Sequence, residues 1–156
     1  MRTERRSVLK KLVASTLGLV GLGLVSKATT AAAEAPAEKE VFNASPSQEI
    51  PMFSGATKFG GMIFIAGKGA HYAGDIKAHT ETVLKELEKE LVNAGSSMEK
   101  VLKVNVYLND IADFKGMNEV YKGRFGSKPP VRTTVAVAKG GVPGDSLVEM
   151  DCIAYV

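Results

Sequence analysis

Arg132 is the residue of this chain best built to hold an anion. It follows Pro129-Pro130-Val131, which restrain the backbone leading to it, and its planar guanidinium matches a carboxylate in a two-point contact. On the uncovered face of a strand it would be open to a ligand. Glu149, on a later strand, is the acid expected to share that face, with Asp151 two residues on. A carboxylate there orients a water and passes protons. The same pattern allows an ordinary ion pair between Arg132 and Glu149 or Asp151, and spacing alone favours that structural reading. Asp151 is expected to serve structure or an interface.

Other candidates carry weaker signals. Gly67-Lys68-Gly69 follows a strand but lacks phosphate-loop spacing, although Lys68 has the reach to meet a ligand. His71 and His79 have no carboxylate or cysteine at metal-ligand spacing and are expected at the surface. No Ser/His/Asp grouping is suggested. Cys152 is the single cysteine, which excludes an internal disulfide, argues against a Cys-based metal cluster, and reads as a small buried apolar residue.

The elements that must position these groups follow from periodicity. Met62 to Ala66 is an apolar run bounded by Gly60-Gly61 and Gly67, which predicts a strand in a hairpin with Ser54 to Phe59. Asp75 caps a predicted helix with Ile76, Val83, Leu84, Leu87, Leu91 and Ala94 on one stripe, and Gly95 ends it. Val101 to Asn109 alternates as a half-buried strand, with Leu102, Val104, Val106 and Leu108 on one side. A second helix is predicted from Asp113 to Phe125, stopped by Pro129-Pro130. Strands near Val131–Ala138 and Leu147–Val156 close an α+β order, β-β-α-β-α-β-β, with two helices covering one face of the sheet. In the last strand Val148, Met150, Cys152, Ala154 and Val156 form the inward series. In the strand before it Arg132, Thr134, Ala136 and Ala138 share the outward side. The outward face mixes Leu147, Ile153 and Tyr155 with charges, which predicts a subunit interface in a homo-oligomer, with sites at its seams.

An apolar fraction of 45% with 24% charged residues is ordinary for a globular protein, and 156 residues leave room for one core plus a leader. The formal charge of +3 is unevenly placed. Arg2, Arg5, Arg6, Lys10, Lys11 and Lys27 against Glu4 put +5 into the first 33 residues, so the remainder, with 14 basic and 16 acidic side chains, carries −2. No basic surface for nucleic acid is evident there. Residues 1–33 read as a signal peptide with an apolar stretch from Leu12 to Val25 and a cleavage site near Ala33. Arg5-Arg6-Ser7-Val8-Leu9-Lys10 resembles the twin-arginine export motif, which implies a periplasmic or otherwise exported domain and transient contact with that export machinery. An uncleaved N-terminal anchor is the alternative. Residues 34–49 read as a linker, and 50–156 as the domain.

Three ordered motifs resemble the RidA/YjgF family of reactive-intermediate deaminases: Phe114 to Tyr121, Pro130 to Val135, and Val148 to Ala154. The resemblance implies a chorismate-mutase-like fold and a homotrimer with a central barrel and clefts between subunits. It further implies cofactor-free hydrolysis of 2-imino acids, or their enamine tautomers, to 2-keto acids and ammonia. Arg132 matches the arginine that grips the substrate carboxylate, and Glu149 an acid that assists water and proton transfer. Gly67 and the backbone near Thr134 match cleft-lining positions, and Asn118 matches a motif position at a helix surface. The chain departs from the pattern at Phe53, where active members usually have tyrosine, and at Ala66 and Lys68, which replace the serine and glutamine of an S-G-Q motif. Thr134 stands where some members carry cysteine. Lys68 adds a second cation, suited to a dianionic ligand or to a salt bridge at the rim. Two other functions fit the same fold: a non-catalytic protein binding small carboxylates, and an oligomeric holdase. Ribonuclease activity, a theme of the family, is disfavoured by the charge of −2.

Overall fold

A computed structural model describes residues 38–44 and 49–156. The leader read over 1–33, and residues 34–37 and 45–48 of the predicted linker, lie outside those described.

From Ser54 onward the elements follow the predicted order: β2 (Ser54–Phe59), β3 (Met62–Lys68), α1 (Ile76–Asn93), β4 (Val101–Leu108), α2 (Phe114–Tyr121), β5 (Val131–Ala136) and β6 (Val148–Tyr155). Ahead of them stands β1 (Glu40–Ala44), in the stretch read as linker. That reading rested on missing periodicity, and five residues at a sheet edge are too few to show any. Their partners are distant instead. Val41 pairs with Thr57, and Glu40 lies 2.9 Å from the Lys58 ammonium.

The strands form one sheet in the order β1-β2-β3-β6-β4-β5, antiparallel except for β4 and β5, which are parallel and joined through α2. Asp75 caps α1 by accepting the Ala78 N–H at 2.8 Å, and Gly95, at φ +84°, ends it. Helix α2 stops at Tyr121 rather than Phe125, because Gly123 and Gly126 turn the chain at φ +82° and +73°. Phe125 still reaches the core, 4.9 Å from the Tyr121 ring.

Val83, Leu84, Leu87 and Leu91 of α1 are fully buried against Ile63, Val104, Val106, Val148 and Met150. Each contributes roughly 1.5–3 kcal/mol by leaving water. Two bulges adjust the predicted faces. One between Val101 and Lys103 buries Val101 and leaves Leu102 exposed. The other, between Ile65 and Lys68, turns Lys68 to the side of its partner Met150. Val156, assigned to the inward series, lies beyond β6 and is exposed. The uncovered face carries Val41, Thr57, Phe64, Ile153, Lys103 and Val131 in one register across all six strands. Val131 is 70% exposed there and Phe64 46%.

Candidate anion-binding site

Arg132 does not project from the uncovered face. Its register partner is Val104, which pairs with Cys152, and both are buried on the helix side. Side chains at paired positions share a face, so Arg132 and Thr134 point toward α2, while Val131, Thr133 and Val135 face outward. The guanidinium carbon sits 4.6 Å from the centre of the Tyr121 ring and 5.9 Å from that of Phe114. Among the described residues no carboxylate lies within ion-pair distance of it. The structural pairing with Glu149 or Asp151 is therefore absent. Arg124, by contrast, is clamped to Glu81 of α1.

The surroundings of Arg132 are short of partners as well. Tyr121 Oη and Thr134 Oγ1 are buried and, among the described residues, without a hydrogen-bond partner. Burial pushes the Tyr121 phenol up to about 12, against an opposing pull from Arg132, so the hydroxyl is neutral. A half-buried cation on aromatic faces, next to unsatisfied hydroxyls, is an arrangement that an anion completes.

Lys68 is placed otherwise. Its ammonium lies 3.3 Å from Glu90 Oε1, on the helix side, and Asn43 donates to both Glu90 oxygens at 3.0 Å. Lys68 and Glu90 neutralise each other, Asn43 adds hydrogen bonds to the carboxylate, and the group ties β1 and β3 to α1.

Glu149 and Gly67 meet on the uncovered face, where a Cβ on Gly67 would collide with the Glu149 carboxylate. Glu149 also borders a cavity of about 150 Å³ shared with Tyr107, Val137, Gly141, Val142 and Pro143. Asp151 beside it accepts hydrogen bonds from Asn105 at 2.8 Å and Tyr107 at 3.1 Å, in the structural role expected of it. Glu149 is thus on the face opposite Arg132, two strands across and three residues along the register, roughly 14 Å at ordinary strand dimensions. One chain does not bring them together. Phe53 is 67% exposed just before β2, and Asn118 lies half-buried on α2.

His79 is buried rather than at the surface. Its Nδ1 accepts the Leu147 N–H at 3.1 Å, so Nε2 carries the proton and donates to the Tyr72 carbonyl at 2.9 Å. It fastens α1 to two loops and borders a hollow of about 400 Å³ with His71, Gly144 and Asp145. Sequence spacing missed both His79 and Tyr121. The signal for each was its place on the apolar stripe of its helix.

The family described as Endoribonuclease L-PSP matches residues 44–156. A RutC family protein of Pyrococcus abyssi is 40% identical over 76% of this chain and 98% of its own length. Reactive Intermediate Deaminase A, chloroplastic, of Arabidopsis thaliana is 32% identical over 65% of this chain and 57% of its own. Among solved structures, Rv2704 of Mycobacterium tuberculosis, a member of the YjgF/YER057c/UK114 family, is similar with a TM-score of 0.66 at 29% identity, covering 76% of this chain and all of that one.

Proposed function

We propose, since the chain belongs to the RidA/YjgF/RutC family, that it hydrolyses 2-imino acids and their enamine tautomers without a cofactor, outside the cytoplasm after loss of the leader near Ala33. Water adds to the imine carbon and the C–N bond breaks, giving a 2-keto acid and ammonia. The observation that carries the reading is Arg132, half-buried on two rings with no carboxylate of its own among the described residues. It grips the substrate carboxylate and so fixes the imine carbon for attack. Glu149 assists water and moves protons beside Gly67.

Because one chain holds anchor and acid on opposite faces, the working cleft is formed in a homotrimer. Arg132 and Thr134 of one subunit meet Gly67, Phe53 and Glu149 of a neighbour. The apolar side chains on the uncovered face supply surface for that assembly. Lys68 is held by Glu90, so it acts in the frame of the cleft, and a single cation at the anchor fits a monocarboxylate.

The test couples an amino-acid oxidase or dehydratase to the purified protein and follows keto-acid release. Acceleration by the wild type that Arg132→Ala abolishes supports the reading; no acceleration, or equal acceleration by Arg132→Ala, overturns it. Phe53 and Ala66 bring no hydroxyl to the cleft, and this favours a second reading, a protein that binds small carboxylates without turnover. A thermal shift with 2-keto acids in the absence of hydrolysis would establish that one.

A further inference from the structure

Tyr121 ends α2, and among the described residues its ring lies closer to the Arg132 guanidinium than any other. The carbon-to-centroid distance of 4.6 Å places the cation within the range of attraction to the ring face, and Phe114 stands farther off at 5.9 Å. The Tyr121 hydroxyl does not explain this position, because it finds no partner among the described residues. What the side chain brings to Arg132 is therefore its ring. The ring is itself held, packed at 4.9 Å against Phe125 and fixed on the last turn of α2.

We infer that Tyr121 is the positioning residue of the anion site, its ring face seating the Arg132 guanidinium so that the arginine stays aimed and unpaired until a carboxylate arrives. The inference rests on the reading of Arg132 as the carboxylate anchor. An arginine on a flexible stem loses rotamer freedom when it closes on a ligand, and a ring platform removes part of that loss beforehand. A ring also attracts a cation without neutralising it, which a carboxylate in the same place would do.

The test uses the full chain with Tyr121→Phe, Tyr121→Leu and Met117→Ala, the last removing a fully buried side chain from the same helix. Pyruvate titrated by calorimetry gives the affinity, and the side-chain Nε–H resonance of Arg132 reports ring stacking by its upfield displacement. Tyr121→Phe is expected to keep both the displacement and the affinity. Tyr121→Leu is expected to lose the displacement and weaken pyruvate roughly tenfold. Met117→Ala is expected to lower the melting temperature while leaving the affinity unchanged. Wild-type affinity in Tyr121→Leu, or an equal loss in Met117→Ala, overturns the inference. If the wild type binds no pyruvate, the anchor reading fails instead, and the Arg132 resonance in Tyr121→Leu still decides whether the ring seats the guanidinium.

Discussion

Lys68 and Arg132 both turn toward the helices, Lys68 from β3 and Arg132 from the edge strand β5, and they are treated in opposite ways. Lys68 meets Glu90 at 3.3 Å, and Glu90 is held on its other side by Asn43. Arg132 meets two rings, and the hydroxyls of Tyr121 and Thr134, on the ring it touches and two residues along its strand, are buried without partners among the described residues. A cation already neutralised by a carboxylate inside the chain has little charge left to offer a ligand. A cation held in place but left uncompensated retains its attraction for an anion, and the fold bears that cost. The contrast separates a structural charge from a binding one more sharply than residue type does.

The comparison breaks most visibly at Glu90. Glu90→Ala strands a largely buried ammonium and is expected to cost about 3 kcal/mol of stability in denaturant titration, with pyruvate affinity unchanged. Replacing Lys68 and Glu90 together by methionine should restore most of that loss. Arg132→Ala should do the reverse, weakening pyruvate at least thirtyfold, about 2 kcal/mol, with a melting temperature within a few degrees of wild type. His79 extends the compensated class to a neutral side chain. His79→Ala leaves the Leu147 N–H and the Tyr72 carbonyl without their ring partners and should lower stability by about 1.5 kcal/mol.

The smallest effect at neutral pH is at Tyr121. Its folded pKa is raised to about 12 from an ordinary value near 10, so its contribution is intact below pH 10 and is lost as pH climbs toward 12. Tyr121→Phe should flatten that alkaline decline in melting temperature. At neutral pH it should leave stability equal or slightly higher, because a hydroxyl buried without a partner disappears. A steeper alkaline decline in the variant would contradict the assignment.

Much of this was legible in the sequence. The α1 stripe, its Asp75 cap and the alternation of β6 are local patterns, and local patterns record burial directly. Arg132 was legible as a residue of interest, but its face was not. Alternation along β5 defines two sides without saying which one a helix covers, and Val131 and Val135 looked like the core side. In fact they face outward while Arg132 and Thr134 face α2. Lys68 was hidden by the bulge after Ile65, which reverses the alternation, and β1 by its brevity. Bulges and edge pairings are set by partners dozens of residues away, and spacing within one segment carries no trace of them.

The place of β6 has a consequence for how the chain comes to exist. Of the described strands β6 comes latest in the chain, yet it is inserted between β3 and β4, so the middle of the sheet arrives after both of its flanks. Until Val148–Tyr155 is free to pair, the hairpin half and the β4–β5 half are separate fragments with exposed strand edges, prone to sticking to other chains. Joining of the two halves is thereby delayed until β6 has been made, and deletion of that strand would remove the seam that makes one sheet out of two.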